Sequence, residues 1–236
     1  MIEIRGLNAG YRRLHVLFDI TAKFEKARIN VVVGPNGSGK STLLKSIFGL
    51  ATIYSGSIAC DGLELVGKPP HEIARCGIAY LPQTDNVFSN LTVEENLRMA
   101  GYVLGREELE NGIEEVAEVF PIIKSYWRRK ASMMSGGERQ MVAMAMALLR
   151  KPKVMLFDEP TGGLAPKIAS EVLSKIIELR DTMDMTIVLV EQNARKALEV
   201  GDKAYLLVGG RLVFEGECGE LLSHPKLASL YLGVSH

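Results

Sequence analysis

Only three cysteines occur in 236 residues, Cys60, Cys76 and Cys218, and none belongs to a CxxC pair. That scarcity excludes a disulfide framework and a cysteine zinc site, and it suits a reduced compartment in which all three are packing residues. The four histidines, His15, His71, His224 and His236, have neither one another nor carboxylates at ligand spacing. Excess charge is missing too: Lys plus Arg and Asp plus Glu number 28 each, so bulk charge argues neither for nucleic acid nor for an acidic surface as partner. No uninterrupted apolar run approaches the roughly 20 residues that span a bilayer. Met1-Ile2-Glu3-Ile4-Arg5 lacks the basic start and apolar stretch of a signal peptide. Direct membrane insertion is therefore not expected, and any membrane association goes through a partner. Internal repeats, low-complexity segments and linkers are absent, so the length is expected to hold one large domain, or a core with an insertion, and no appended regulatory domain.

The pattern that is present is α/β. Alternating Ile2/Ile4 and Val16 to Phe24 predict early strands, and the unbroken apolar run Ile29 to Val33 predicts a strand buried on both faces. Val154 to Phe157 and Thr186 to Val190 are runs of the same kind, separated by a helical pattern from Lys167 to Arg180. Strand, helix and strand alternating in this way predict a parallel sheet. Last strands are expected at Ala204 to Val208 and Arg211 to Phe214, followed by a short helical tail. Between Thr92 and Leu149 apolar residues fall at helical spacing instead: Val93, Leu97 and Leu104, then Ile113, Val116, Ala117 and Phe120. A helical subdomain is placed at about 84–150, inserted into a core of 1–83 and 151–236. Within it Met141, Met144 and Met146 are expected to be packing residues, and Arg128-Arg129-Lys130 a solvated edge.

Gly34-Pro35-Asn36-Gly37-Ser38-Gly39-Lys40-Ser41 follows the buried run directly and opens a helical pattern from Thr42 to Leu50. A glycine-rich strand-to-helix turn is the plainer alternative, but strand, loop and helix in this order are the context of a phosphate-binding loop. Backbone N–H groups and the helix N-terminus would face phosphate oxygens, Lys40 would bring a point charge, and Ser41 a hydroxyl for Mg²⁺. Asp158 and Glu159 end the buried run that starts at Val154, at the strand end where parallel sheets bind ligands. Neighbouring side chains on an extended backbone point different ways. Asp158 suits the Mg²⁺ shell, and Glu159 suits a water in line with the γ-phosphate. Ser135-Gly136-Gly137-Glu138 reads first as a capping box, Ser at the N-cap and Glu at N3. A cap needs no Gly-Gly pair, and glycine costs about 1 kcal/mol against alanine inside a helix. Two positions without side chains make sense where phosphate must approach the backbone.

Taken together these segments resemble the ATP-binding cassette (ABC) family. Gly34 to Thr42 is similar to its Walker A loop, Gln83 in Leu81-Pro82-Gln83 to its Q-loop, Ser135 to Gln140 to its signature sequence, and Val154 to Glu159 to its Walker B strand. All four occur in the family's order, and the resemblance covers essentially the whole chain. It implies an α/β P-loop ATPase domain with an N-terminal antiparallel β subdomain and an inserted helical subdomain. It implies binding and hydrolysis of ATP with Mg²⁺, the metal held by Ser41, Asp158 and Gln83. It also implies that Tyr11 stacks on adenine. Two cassettes are expected to sandwich two ATPs, each between one chain's Walker A and the other's Ser135, Gly136, Gly137 and Glu138. The second cassette is either a copy or a related subunit.

Gly163-Leu164-Ala165-Pro166, Val190-Glu191-Gln192-Asn193, Thr92 to Leu97 and Tyr231-Leu232-Gly233 narrow the resemblance to the second ATPase of branched-chain amino-acid importers. Urea and amide importers, lipid exporters and soluble ABC ATPases of DNA repair or translation are the alternatives. The last usually carry long coiled coils or two cassettes, and neither is read here. Ala165 stands where cassettes usually carry aspartate, and Gln192 where they usually carry histidine. An amide can hydrogen-bond the γ-phosphate but does not titrate near neutral pH. Further expected partners are membrane permease subunits, contacted by Gln83 to Asn96 with Phe88 as the anchor, and indirectly an extracytoplasmic solute-binding protein. The expected location is cytoplasmic, on the inner face of the cell membrane, with no metal beyond Mg²⁺.

Overall fold

The computed structural model describes residues 1–84 and 86–224. The chain runs β1 (Ile2–Tyr11), β2 (Leu14–Phe24), β3 (Ile29–Val33), α1 (Lys40–Ile47), β4 (Thr52–Cys60), β5 (Leu63–Glu64), α2 (Pro70–Arg75) and β6 (Ile78–Leu81). It continues through α3 (Val93–Ala100), α4 (Arg106–Val119), α5 (Ile122–Ser125), a 3₁₀ turn and α6 (Gly136–Leu148). It closes with β7 (Val154–Asp158), α7 (Pro166–Met183), β8 (Thr186–Val190), α8 (Ala194–Val200), β9 (Lys203–Val208), β10 (Arg211–Glu217) and α9 (Cys218–Ser223).

Two sheets form: a four-stranded antiparallel one in the order β2-β1-β4-β5, and a six-stranded one in the order β10-β9-β3-β8-β7-β6. In the second sheet only β10 runs antiparallel to its neighbour. Every residue of β3, β7 and β8 is buried, which is why these strands read as unbroken apolar runs. Alternation still sorts their side chains. Val31, Val33, Met155, Phe157, Ile187 and Leu189 join one core with the helical segments α3 to α7. Val32, Val154, Leu156, Val188 and Val190 join another with α1 and the antiparallel sheet.

The helical segment is thus bonded to the sheet through a shared core. Its start is fixed by Thr92, which caps α3 in a capping box with Glu95. Asn96, fully buried, accepts from the N–H of Phe88 at 2.7 Å and donates to the carbonyl oxygens of Phe88 and Thr92. The loop before α3 is therefore held by side-chain hydrogen bonds. Met144 is buried and Met141 and Met146 pack against the same core.

Several expectations are corrected. Strands β4 and β6 carry no clear pattern in the sequence, since seven of the nine residues of β4 are exposed or half-buried and β6 has four residues. Helix α1 opens at Lys40 rather than Thr42 and ends at Ile47 rather than Leu50, with Gly49 at φ 72 just beyond it. Cys60 and Cys218 are buried packing residues, but Cys76 is half-buried, its thiol donating to the Glu72 carbonyl at 3.2 Å. Tyr231-Leu232-Gly233 lies outside the described residues.

Candidate functional site

The site begins where β3 ends. Gly34 to Gly39 link it to α1, and Gly39 is the N-cap of α1 at φ 99, with no side-chain cap. A left-handed N-cap is open to glycine and costly to other residues. Gly37 has φ 76, and a Cβ there would meet no heavy atom within 4 Å, so this side of the loop faces open space. That space is a cavity of about 460 Å³. Asn36, Gly37, Lys40 and Ser41 line it from the loop, and Gln83, Glu159 and Gln192 line it from across the sheet edge.

The loop has unsatisfied capacity. Lys40 is buried and, among the described residues, donates to the carbonyl oxygens of Gly34 at 2.9 Å and Pro35 at 3.1 Å. Burial pulls its pKa down from the usual ammonium value, while Glu159 and Asp158 oppose that. The buried Ser38 hydroxyl has no hydrogen-bond partner among the described residues. An ammonium held by backbone carbonyls, this hydroxyl and the N-terminus of α1 together fit a polyphosphate.

The end of β7 separates the two acids, Asp158 as its last residue and Glu159 just beyond it. Asp158 lies on the α1 face of the sheet, where Ser41 Oγ donates to its Oδ1 at 2.7 Å and Tyr80 Oη to its Oδ2 at 3.0 Å. Burial and the Asp158 carboxylate push the Tyr80 phenol above its ordinary value, so it acts as a donor. Glu159, next in the chain, adopts φ 51 and turns the other way. Its N–H donates to the Val190 carbonyl at 2.9 Å, and its Oε2 accepts from Gln83 Nε2 at 2.9 Å. A serine hydroxyl and a carboxylate in contact at a helix start are two hard oxygen ligands of the kind Mg²⁺ takes when phosphate and water complete its shell.

Gln192 follows β8 and reaches the same cavity. Behind it stands Glu191, buried and accepting from the N–H of Thr161 at 2.9 Å and of Gln192 at 3.2 Å. Burial pushes its pKa above the usual carboxylate value. Glu191 therefore ties the turn after β7 to the Gln192 turn. Tyr80 and Glu191 contact the site residues without any signal in the sequence that singles them out: Tyr80 sits in a four-residue strand, and the partner of Glu191 lies 30 residues away. Ala165 is the N-cap of α7 and offers no side-chain cap.

Several expected residues do not line the cavity: Gly34, Ser38 and Asp158 lie just behind its wall, and others stand further off. Tyr11 ends β1, 37% exposed, with Thr42 Oγ1 donating to its hydroxyl at 3.4 Å; it stands beside the cavity and is not part of its lining. Pro35 serves through its carbonyl, as above. Ser135, Gly136, Gly137 and Glu138 do not line the cavity either. They form a closed capping box: the Ser135 N–H donates to Glu138 Oε2 at 2.6 Å, and the Glu138 N–H to Ser135 Oγ at 3.3 Å. A Cβ on Gly136 would lie 2.8 Å from Leu164 Cδ2, and one on Gly137 2.2 Å from Ile168 Cγ2. Phosphate approach was the expected reason for this glycine pair. Close packing, of Gly136 on the loop before α7 and of Gly137 on α7 itself, is a second reason within the chain.

Comparison with known proteins follows this geometry. The family model described as ABC transporter matches residues 17–162. The chain is 54% identical over 234 residues to the probable branched-chain amino acid transport ATP-binding protein LivF of Archaeoglobus fulgidus, covering 99% of each. It is 42% identical over 233 residues to the high-affinity branched-chain amino acid transport ATP-binding protein BraG of Pseudomonas aeruginosa, covering 99% of this chain and all of that one. Among solved structures, the ADP conformation of MJ1267, an ATP-binding cassette of an ABC transporter, superposes with TM-score 0.87 at 26% identity, covering 97% of both chains.

Proposed function

The chain belongs to the ABC transporter family as an ATP-hydrolysing cassette, and we propose that it is the ATPase subunit energising uptake of branched-chain amino acids. The observation that carries the cargo is the 54% identity, end to end, to a relative named for that transport. The chemistry is supported by two contacts at the rim of one cavity, Ser41 to Asp158 and Gln83 to Glu159.

In this reading Gly34 to Gly39 and Lys40 hold the phosphates, and Tyr11, next to Thr42, stacks on the base. Ser41, Asp158 and Gln83 hold Mg²⁺, which when bound offsets phosphate charge. Glu159 orients a water toward the γ-phosphorus and accepts its proton, once nucleotide draws Gln83 away from the carboxylate. Gln192 donates its amide to the γ-phosphate and, having no titratable group, positions without acid–base work. Glu191 holds that turn in place from below.

The closed α6 terminus serves the other half of the assembly: Ser135, Gly136 and Gly137 meet the nucleotide held by a second cassette, which returns the service. That partner is a related subunit with its own aspartate and histidine at positions equivalent to Ala165 and Gln192. Phe88, half-exposed and with its backbone clamped by Asn96, docks on the membrane permease, which an extracytoplasmic solute-binding protein loads. No described helix is long and apolar enough to cross a membrane. In this reading the chain works from the inner membrane face through the Phe88 dock.

The test is reconstitution of the chain with its partner cassette, permease and binding protein in vesicles. Leucine, isoleucine and valine should each raise ATP hydrolysis and accumulate. Accumulation of urea or an amide in their place rejects the cargo and leaves the ATPase intact.

A further inference from the structure

We propose that Tyr80 is a positioning residue for the metal-binding carboxylate, its hydroxyl clamping the outer oxygen of Asp158 so that the inner oxygen stays aimed at Ser41. The inference rests on the ATPase reading above and concerns one residue that reading does not use.

The geometry is set by the sheet. Strands β6 and β7 pair in parallel with Tyr80 opposite Leu156, so Tyr80 shares a face with Leu156 and, two residues on, with Asp158. A phenol is long enough to climb that one step, and its hydroxyl reaches Asp158 Oδ2 at 3.0 Å. The ring is held from the other side by Phe48, at the end of α1, with centroids 5.5 Å apart. Ser41 lies in the first turn of α1 and Phe48 is its C-cap, so both contacts to the carboxylate are referred to the same helix.

Asp158 is 4% exposed, and no arginine or lysine pairs with it among the described ion pairs. Its two oxygens have one neutral donor each, Ser41 and Tyr80. Ser41 is itself a metal ligand in the proposed site, and its hydroxyl can release Oδ1 for that purpose. The Tyr80 bond then remains as the fixed restraint on the carboxylate plane. Outer-shell partners of this kind typically account for about 10- to 100-fold in metal affinity. A cross-strand strut without such a role would affect folding and leave the metal alone.

The experiment uses the full chain with ATP and Mn²⁺ as the metal probe, read by electron paramagnetic resonance, alongside the Mg²⁺ dependence of hydrolysis in the two-cassette complex. Tyr80→Phe keeps the ring and its contact with Phe48. It should weaken Mn²⁺ binding about tenfold and shift the Mg²⁺ requirement in the same direction. Nucleotide affinity in excess EDTA should stay within about twofold of wild type. Phe48→Leu is the complementary variant: it loosens the ring but keeps the hydroxyl, and should lower the melting temperature while weakening Mn²⁺ binding by less than Tyr80→Phe does. Metal affinity of Tyr80→Phe within twofold of wild type overturns the proposal, as does an equal loss in Phe48→Leu. Ser41→Ala separates the two levels: if it too leaves Mn²⁺ affinity untouched, the metal assignment in the ATPase reading is at fault.

Discussion

Helices α1 and α6 both have glycine at or next to their first residue, and their N-termini differ in almost every other respect. At α1 the N-cap is Gly39, left-handed and uncapped, with no acidic residue in the first turn and Lys40 as its first residue. At α6 the N-cap is Ser135, extended, closed by a reciprocal capping box whose acid, Glu138, sits in the first turn. The positive end of the α1 dipole and its free N–H groups are left for a ligand; those of α6 are partly answered from within the chain. The glycines differ as well. Gly37 is needed for a backbone conformation, φ 76 with open space around its missing Cβ, whereas Gly137 has a helical backbone and lacks room beside Ile168. One terminus is prepared to take an anion alone. The other is prepared as a rigid surface, and in the proposed assembly it meets an anion that another chain has already bound.

The contrast breaks most visibly in catalysis. Glu159→Gln should cut steady-state hydrolysis by about 10²- to 10⁴-fold, with ATP affinity kept within about threefold. Lys40→Ala should weaken nucleotide binding to the isolated chain by roughly 10- to 100-fold, the range of a lost charged hydrogen bond. Ser135→Ala should leave that binding unchanged, measured by fluorescent-nucleotide titration of the dilute chain. Equal losses in Lys40→Ala and Ser135→Ala would mean that both termini serve one site.

A smaller effect separates the two kinds of glycine. Gly137→Ala should cost about 1–3 kcal/mol by overpacking, a few degrees or more of melting temperature in a domain of this size. Adding it to Ile168→Ala should cost little further, because the clashing branch is already gone. Gly37→Ala should cost about 1–2 kcal/mol from its left-handed backbone, with no neighbour whose truncation restores it. Thermal denaturation of the Gly137/Ile168 pair tests this, and additive losses there would return the α6 glycines to a conformational role.

The smallest effect is in acid. The Glu138 carboxylate is held below the usual glutamate range first by the N–H of Ser135. A lowered folded pKa means that its stabilisation is complete above the unfolded value, about 4.3, and is lost as pH falls through the folded one. The stability difference between wild type and Glu138→Gln should therefore shrink below about pH 4. A difference that stays constant from pH 7 to pH 3 rules out the charged cap as its source.

Much of this was legible before any coordinates. The P-loop, the acids after Val154 to Phe157, the capping box at Ser135 and the helical spacing from Val93 to Phe120 are local patterns, fixed by neighbours within a few positions. Extended backbone alternates, which predicts that the two acids diverge; Asp158 and Glu159 do face different partners, but Glu159 owes its direction to a left-handed backbone just past the strand. Tertiary structure alone decided what lies across a strand or between helices. Tyr80 reaches Asp158 only because β6 docks beside β7, and β6 itself is four residues that carry no signal of their own. Glu191 joins two turns 30 residues apart, and Ile168 denies Gly137 a side chain from another helix. Propensity and periodicity describe a segment, whereas strand order and helix docking are settled by which apolar faces bury one another once crossovers close, and that information is spread over the whole chain.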